Sequence, residues 1–504
     1  MQIGSKAMIT AFGRKLFCTL VSAILLVAGA SGVKAQGVVW STNYGGIYNE
    51  QGHSACSLPD GGYAVLGATY SFGDGDHDIY LLRLNSFGDT IWTRHYGGAA
   101  ADYGFDIQPA AGNGFVIVGV TQSYGLGKGD VYLIRLDSLG ELLWSRTYGG
   151  TELDEGHSVR QTGDGGYIIC GTTNSSGAGY ADLYLVKTDA NGNVQWTRTY
   201  GGAGGESGSA VRVTAQGGYI AVGSTGSFGE GYSSLYVVRT DAAGDSLWAA
   251  AYGGSKADFG YSVEGTSDDG YVFVGASASF GLGYTDAYLL KTDADGFVQW
   301  QEAYGGAKDD RAYAVRCTAD GGYILAGTTE SFGNGKIDCY VVRTDPAGVP
   351  VWTQTYGGRY SDFCRNLVTQ TGSFCLIGYS YSYTAGGSDI YVLKAYADQM
   401  TAVPEDDEPP LPAGLRLAQN YPNPFNLSTT IEFAVSNRSP ARLTIFNVLG
   451  RKVAEWVFAS VPAGTSSVVW DGCNASGNVV TSGVYFYRLV TGTAVQTKKM
   501  VLIK

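Results

Sequence analysis

Apolar and polar residues alternate along this chain in short runs broken by Gly, Asp, Asn and Ser. In residues 151–200 four such runs are strand-like: His157 to Gln161, Tyr167 to Thr173, Leu183 to Thr188 and Val194 to Thr199. Each is rich in β-branched and aromatic residues and bounded by turn formers, the signature of short strands joined by tight connections. Beyond the first thirty residues no long stretch has the apolar spacing of a helix. The pattern predicts an all-β protein.

The runs recur. Trp40, Trp92, Trp144, Trp196, Trp248, Trp300 and Trp352 are each 52 residues apart, and after three intervening residues each is followed by Tyr-Gly-Gly. A fixed period of this length, with four strands per unit, predicts a β-propeller with one blade per repeat, here seven blades. The repeat begins with a fourth-strand sequence (Val38 to Tyr44) and stops after a third-strand sequence (Asp389 to Lys394). The two fragments make one blade, so the N-terminal strand is expected to pair with residues 388–395 and close the ring.

Turn chemistry fits the same frame. Asp164-Gly165-Gly166, with relatives at Asp60 and Asp320, supplies the positive φ of a hairpin between first and second strands. An Asp-x-x-Gly turn joins third to fourth strands, at Asp137, Asp189, Asp241 and Asp293, where the carboxylate reaches backbone N–H groups two residues on. Asp189-Ala-Asn-Gly and Asp293-Ala-Asp-Gly also carry a faint calcium-loop pattern, but the turn explanation covers every copy. Asp-Gly-Gly-Tyr, Gly-x-Thr, Asp-x-Tyr-x-x-Lys/Arg-x-Asp-x-x-Gly-x-x-x-Trp and Tyr-Gly-Gly together resemble the secreted bacterial propeller repeats called SBBP over residues 37–396. That resemblance implies a fold and leaves function open, since propellers serve as enzymes, lectins and scaffolds.

The ends of the chain carry different information. Lys6, Arg14 and Lys15 precede an apolar run from Leu16 to Ala30 and a small-residue site at Val33-Lys34-Ala35, the layout of a signal peptide over residues 1–35. The run is too short for a spanning helix, so no transmembrane segment is expected after cleavage. The propeller is assigned to 36–397 and an acidic, proline-rich linker to 398–414, which contains Pro404-Glu405-Asp406-Asp407-Glu408-Pro409-Pro410.

From 415 to 504 alternating strands resume, including Thr430 to Val435, Ala441 to Asn447, Ser467 to Trp470 and Val484 to Val490, which fit an Ig-like sandwich. Asn420-Tyr421-Pro422-Asn423-Pro424-Phe425-Asn426, Trp470-Asp471-Gly472, Gly483-Val484-Tyr485-Phe486-Tyr487 and the closing Lys498-Lys499-Met500-Val501-Leu502-Ile503-Lys504 resemble the C-terminal sorting domain of type IX secretion and the Ig-like module of hook-capping proteins. The resemblance implies export to the surface or exterior of a bacterium with an outer membrane, with the type IX machinery as partner.

Charge narrows the partners. The formal charge is −12, and loss of the leader, which holds four basic and no acidic groups, takes it to −16. Such a body repels phosphate backbones, which excludes nucleic acid as a natural partner. Seven cysteines follow the leader without metal-type spacing. They read as small buried apolar residues with at most one or two disulfides.

Candidate chemistry is sparse. There are four histidines and no nucleophile elbow, zinc motif or phosphate loop, so no catalytic residue is assigned. Glu50, Asp102, Asp154, Glu206, Asp258, Asp310 and Asp362 recur once per repeat just after Tyr-Gly-Gly. Seven equivalent acids are not the unlike pair a glycosidase needs, and their expected role is to cap the turn between blades.

Asp74, Asp76 and Asp78 occur together only in the first repeat, with the alternate spacing of a hard-cation loop but without its downstream Glu. They are the candidate metal residues, for calcium, against a solvated polar loop. No other cofactor is expected.

Recognition is better sought where repeats differ. One position in the loop between second and third strands reads Asp76, Lys128, Tyr180, Tyr232, Tyr284 and Lys336. Three tyrosines on consecutive blades flanked by lysines make a candidate arc for a glycan or a surface protein. The leading reading is a non-enzymatic secreted binding module. The alternatives are a propeller hydrolase or lyase acting on extracellular polysaccharide, and a multivalent structural component.

Overall fold

The computed structural model describes residues 37–384, 387–397 and 415–503, the last apart from 418–419, 421–422, 424, 427, 436–437, 448–450, 463, 475–477 and 492–493. The expected leader and linker lie outside the described residues. Two compact units divide between Thr401 and Ala402. Among the described residues no helix is long and apolar enough to cross a membrane.

The first unit is a β-propeller of four-stranded antiparallel sheets in which sequence neighbours pair. In the third sheet the strands run Asp154–Gln161, Tyr167–Thr173, Asp182–Thr188 and Val194–Tyr200. The innermost strand starts three residues before the apolar pattern predicts. Asp154 and Glu155 are polar, yet Asp154 is paired with Thr173 and fully buried. The register then shifts between Gly156 and Ser158, so His157 is the extra residue of a β-bulge. The same shift recurs in the innermost strand of each of the other sheets.

Second and third strands are buried on both faces while the fourth alternates between half-buried and exposed. This explains why the middle strands read as apolar runs and the outer ones as alternating. Sheets pack face to face through shared apolar cores. Val116, Val118 and Leu133 of the second sheet meet Val159, Ile169 and Val186 of the third. Ile377, Ile390 and Val392 of the last sheet meet Val65, Tyr80 and Leu82 of the first.

That last sheet combines the two ends of the repeat array. Val38–Tyr44 pairs antiparallel with Asp389–Tyr396, matching Trp40 to Lys394 and Tyr44 to Ile390. The sheet order places the N-terminal strand outermost, beyond Asp389–Tyr396, Ser373–Ser380 and Asp362–Gln370.

The repeat tryptophans lie in outermost strands, half-buried, and serve the next blade. Trp144 meets Tyr167 edge-on with centroids 6.0 Å apart, and Trp196 approaches Tyr219 at 5.9 Å. The tryptophan also covers the turn glycine between third and fourth strands of that blade, as Trp144 does Gly192, whose φ is 79° and where a Cβ would collide with the indole.

The second unit holds a three-stranded sheet (Leu415–Leu417, Thr429–Val435, Gly464–Trp470) and a five-stranded one (Phe425–Asn426, Ala494–Ile503, Gly483–Thr491, Ser439–Asn447, Lys452–Val461). They share one core containing Ile431, Phe433, Trp470, Leu443, Tyr487 and Leu502. Asn420 ties its motif into that core. Its backbone N–H donates to the Tyr487 hydroxyl at 2.8 Å, and its amide nitrogen donates to Thr429 Oγ1 at 2.9 Å.

Candidate functional site

The connections from fourth to first strands and from second to third strands carry the positions singled out above. The once-per-repeat acids are fully buried or nearly so, and each accepts a hydrogen bond from the second glycine of its Tyr-Gly-Gly. Gly98 N donates to Asp102 Oδ2 at 2.8 Å, Gly150 N to Asp154 Oδ2 at 2.7 Å and Gly202 N to Glu206 Oε2 at 2.7 Å. Serines on the second-to-third-strand loop add to this: Ser123 and Ser175 each donate to the same carboxylates at 2.6 Å. These acids hold two loops of one blade junction together.

A second set of carboxylates opens the third strands, and sequence reasoning missed their role. Asp78, Asp130, Asp182, Asp286 and Asp338 are buried and accept backbone N–H groups of their own loops, as from Leu126 to Asp130 at 2.7 Å and from Gly283 to Asp286 at 2.9 Å. Each faces the acid of the following blade. A Cβ on Gly305 would press on both Asp286 and Asp310, and one on Gly45 on both Asp389 and Glu50. The first glycine of Tyr-Gly-Gly is therefore fixed by the carboxylates, which leave it no room for a side chain. Burial, and then the neighbouring Asp310, pushes Asp286 up to about 6. Burial and then Glu50 do the same to Asp389.

Asp74 and Asp76 are exposed, whereas Asp78 is buried and accepts Gly75 N at 3.2 Å. The structure does not bring the three together. Among the described residues no group of three or more acidic, Cys or His side chains is arranged to hold a metal. The alternate spacing arises because Asp78 begins a strand and turns back on its own loop.

Tyr180, Tyr232 and Tyr284 are 86%, 93% and 78% exposed. Lys128 is exposed and paired with Glu152 at 2.6 Å. Lys336 lies apart from the tyrosines in its contacts: with Tyr360, Ser361, Phe363, Tyr379 and Tyr381 it lines a cleft of about 630 Å³ between the last two blades.

The bulge residues of neighbouring blades form a belt, in which His53 and His157 share one register. His53 meets Phe105 at 5.6 Å, Phe105 meets His157 at 5.3 Å and Tyr261 meets Tyr313 at 5.0 Å. Burial and the positive charge of Arg365 push His53 down to about 4. Burial opposes the charge on His157, but the hydrogen bond and charge of Glu155 outweigh it and raise its pKa. Three residues further on, Arg160 pairs with Asp106 at 2.5 Å, and Glu264 is shared by Arg212 at 2.6 Å and Arg316 at 3.2 Å. Stepping through the sequence at offset 52 from His53 would have exposed this variable register, which was obscured because its chemistry differs in nearly every copy.

An all-β propeller carrying a separate C-terminal β domain defines the class of protein. Residues 419–504 match the family described as the secretion system C-terminal sorting domain. The protein is thus exported by type IX secretion to the cell surface or extracellular space.

A regulatory protein FlaEY from Caulobacter vibrioides is 32% identical over 89 residues, 15% of this chain, which spans 9% of that relative. Among solved structures, PorZ, described as an essential bacterial surface component of the type IX secretion system of Porphyromonas gingivalis, is 11% identical with a TM-score of 0.37, over 89% of this chain and 59% of that one. The propeller domain of the Trilobed protease from Pyrococcus furiosus is 9% identical with a TM-score of 0.40, over 71% and 100%. The polysaccharide lyase Uly1 is 9% identical with a TM-score of 0.41, over 70% and 92%. These structural likenesses are too loose to bear on activity.

Proposed function

We propose that the protein is a closed seven-bladed propeller of the SBBP type, delivered outside the cell by an Ig-like sorting domain, and that it works there as a non-enzymatic binding module. Closure is supported by the pairing of Val38–Tyr44 with Asp389–Tyr396 and by the core shared between last and first sheets. The observation that carries the binding role is the arc Tyr180, Tyr232 and Tyr284. Three rigid rings on consecutive blades stand 78% or more exposed, where burying them would otherwise favour folding. Lys128 and Lys336 flank them in the blade order, and the ligand is a glycan or a surface protein.

The alternative, a polysaccharide hydrolase or lyase, would draw on Glu155 and His157, a half-buried acid and base at 3.6 Å. A glycan array run beside a polysaccharide degradation assay on the full chain separates the two. Binding without product, lost in the Tyr180, Tyr232 and Tyr284 triple alanine variant, is expected. Product release abolished by His157→Gln would replace the binding reading with the enzymatic one.

A further inference from the structure

Arg365 is a partly buried guanidinium with no carboxylate partner among the described residues. Three rings surround it instead: its Cζ lies 4.7 Å from the Tyr313 centroid, 5.9 Å from that of Phe363 and 5.8 Å from that of Tyr379, and Nη2 donates to the Tyr379 hydroxyl at 3.4 Å. Ring faces offset part of the cost of removing a cation from water. They do not supply the planar pair of acceptors that a guanidinium binds best.

Two of these rings, Phe363 and Tyr379, stacked with centroids 4.6 Å apart, also line the 630 Å³ cleft between the last two blades. Lys336 and the exposed rings of Tyr360 and Tyr381 line the same cleft, and Lys336 has no ion-pair partner among the described residues. In a chain of net charge −12, a lysine without an ion-pair partner among the described residues, set beside four aromatic rings, is a local reversal of sign.

We propose that this cleft binds an acidic saccharide, with sugar faces stacked on Tyr360, Tyr381 and the Phe363–Tyr379 pair, the anionic substituent held by Lys336, and Arg365 positioning the Phe363 and Tyr379 rings from outside the cleft. The site shares Lys336 with the tyrosine arc and none of its tyrosines. The test is calorimetry on the full chain with oligogalacturonate, its neutral methyl ester and a sulfated galactan oligomer, the two acidic probes distinguishing carboxylate from sulfate. One acidic probe is expected to bind, its neutral counterpart at least about tenfold more weakly. Lys336→Gln, at an exposed position, is expected to lower affinity about tenfold. Failure of both acidic probes, equal binding of acid and ester, unchanged affinity in Lys336→Gln, or capture of an acidic peptide but of neither saccharide would overturn the proposal.

A different observation carries a second inference. At each blade junction the second residue of a third strand meets the third residue of the next innermost strand. Five pairs combine a large residue with glycine: Ile79 with Gly104, Val131 with Gly156, Leu183 with Gly208, Leu235 with Gly260, and Ile390 with Gly52. The other two are Ala287 with Ala312 and Cys339 with Cys364, each pair within one core. The two thiols are buried in the same apolar cluster.

We infer that Cys339 and Cys364 are joined as a disulfide in the exported protein. The two thiols lose two protons and two electrons to the disulfide of a thiol oxidoreductase in the export compartment, which leaves as a dithiol. Peptide mass spectrometry on protein recovered from the host surface, unfolded and alkylated without reductant, tests this. A linked peptide pair is expected, and recovery of both cysteines as alkylated thiols would overturn it.

Discussion

The phenol of Tyr148 donates a 2.7 Å hydrogen bond to the carbonyl of Gly192 in the following blade. Tyr96 reaches Gly140, Tyr252 reaches Gly296 and Tyr304 reaches Gly348 in the same way, each at 2.6 Å. Together with the tryptophan four residues earlier, the tyrosine fastens the turn of one blade to the outer strand of its neighbour. The repeated Trp-x-x-x-Tyr is therefore a clamp between blades.

The clamp predicts unequal losses. Trp196 covers Gly244 as well as Tyr219, so Trp196→Ala is expected to cost about 2–4 kcal/mol, somewhat below a fully buried aromatic. Trp352 meets Phe374 at 6.2 Å, but its following blade takes its outer strand from the N-terminus and has no third-to-fourth-strand turn to cover. Trp352→Ala should cost less. Chemical denaturation of the two variants provides the comparison, and equal losses would contradict the clamp.

Deletion of residues 36–46 should weaken the last blade more than the first. It removes the partner of Asp389–Tyr396 and bares a strand edge. Limited proteolysis is expected to cut near 388–395 in the deletion variant and not in the intact chain. Unchanged resistance there would count against ring closure by the N-terminal strand.

Removal of residues 415–504 should leave the propeller folded, because the two units have separate cores. The truncated protein should then fail to reach the surface of its own host. Surface labelling of cells expressing each form decides this, and normal display of the truncated form would contradict a sorting role.

Acidity should stabilise the propeller. Asp286 and Asp389 titrate near 6 when folded, above the unfolded carboxylate value, so the folded state binds their protons more tightly. The stability they contribute is complete below about pH 4 and is lost as pH rises through 6. Asp164 and Asp268 oppose this only at lower pH, whereas His53, held near 4 by burial and Arg365, opposes it as pH falls below about 6.5. Asp164 is held near 2 chiefly by its hydrogen bond to Lys187, and Asp268 is held there by Lys291 against the effect of burial. The melting temperature is expected to rise between pH 7.5 and pH 5, with a smaller rise in Asp286→Asn. A change in Asp286→Asn equal to that of the wild type would refute the assignment.

Strand identity and the pairing of the chain ends were legible because each depends on a pattern that recurs every 52 residues. Turn acids such as Asp154 were legible for the same reason. The carboxylate pairs were not, since Asp286 and Asp310 lie in different repeats and only packing makes them neighbours. The aromatic and charged belt was hidden for the opposite cause. His53, Tyr261 and Arg365 share a register and no chemistry, so periodicity alone gave them no common meaning. Of Asp74, Asp76 and Asp78 only Asp78 turns inward, which local spacing cannot tell.

The last sheet takes its outer strand from the beginning of the array and its other three from the end. A chain passing through a membrane in one direction cannot complete this fold partway, because Val38–Tyr44 must wait for Asp389–Tyr396 to arrive. That strand ends at residue 396, and the sorting domain begins at 419. The final structural event of the cargo and the emergence of its address thus fall close together along the chain, and a passenger truncated in transit would present neither a sealed ring nor a label for delivery.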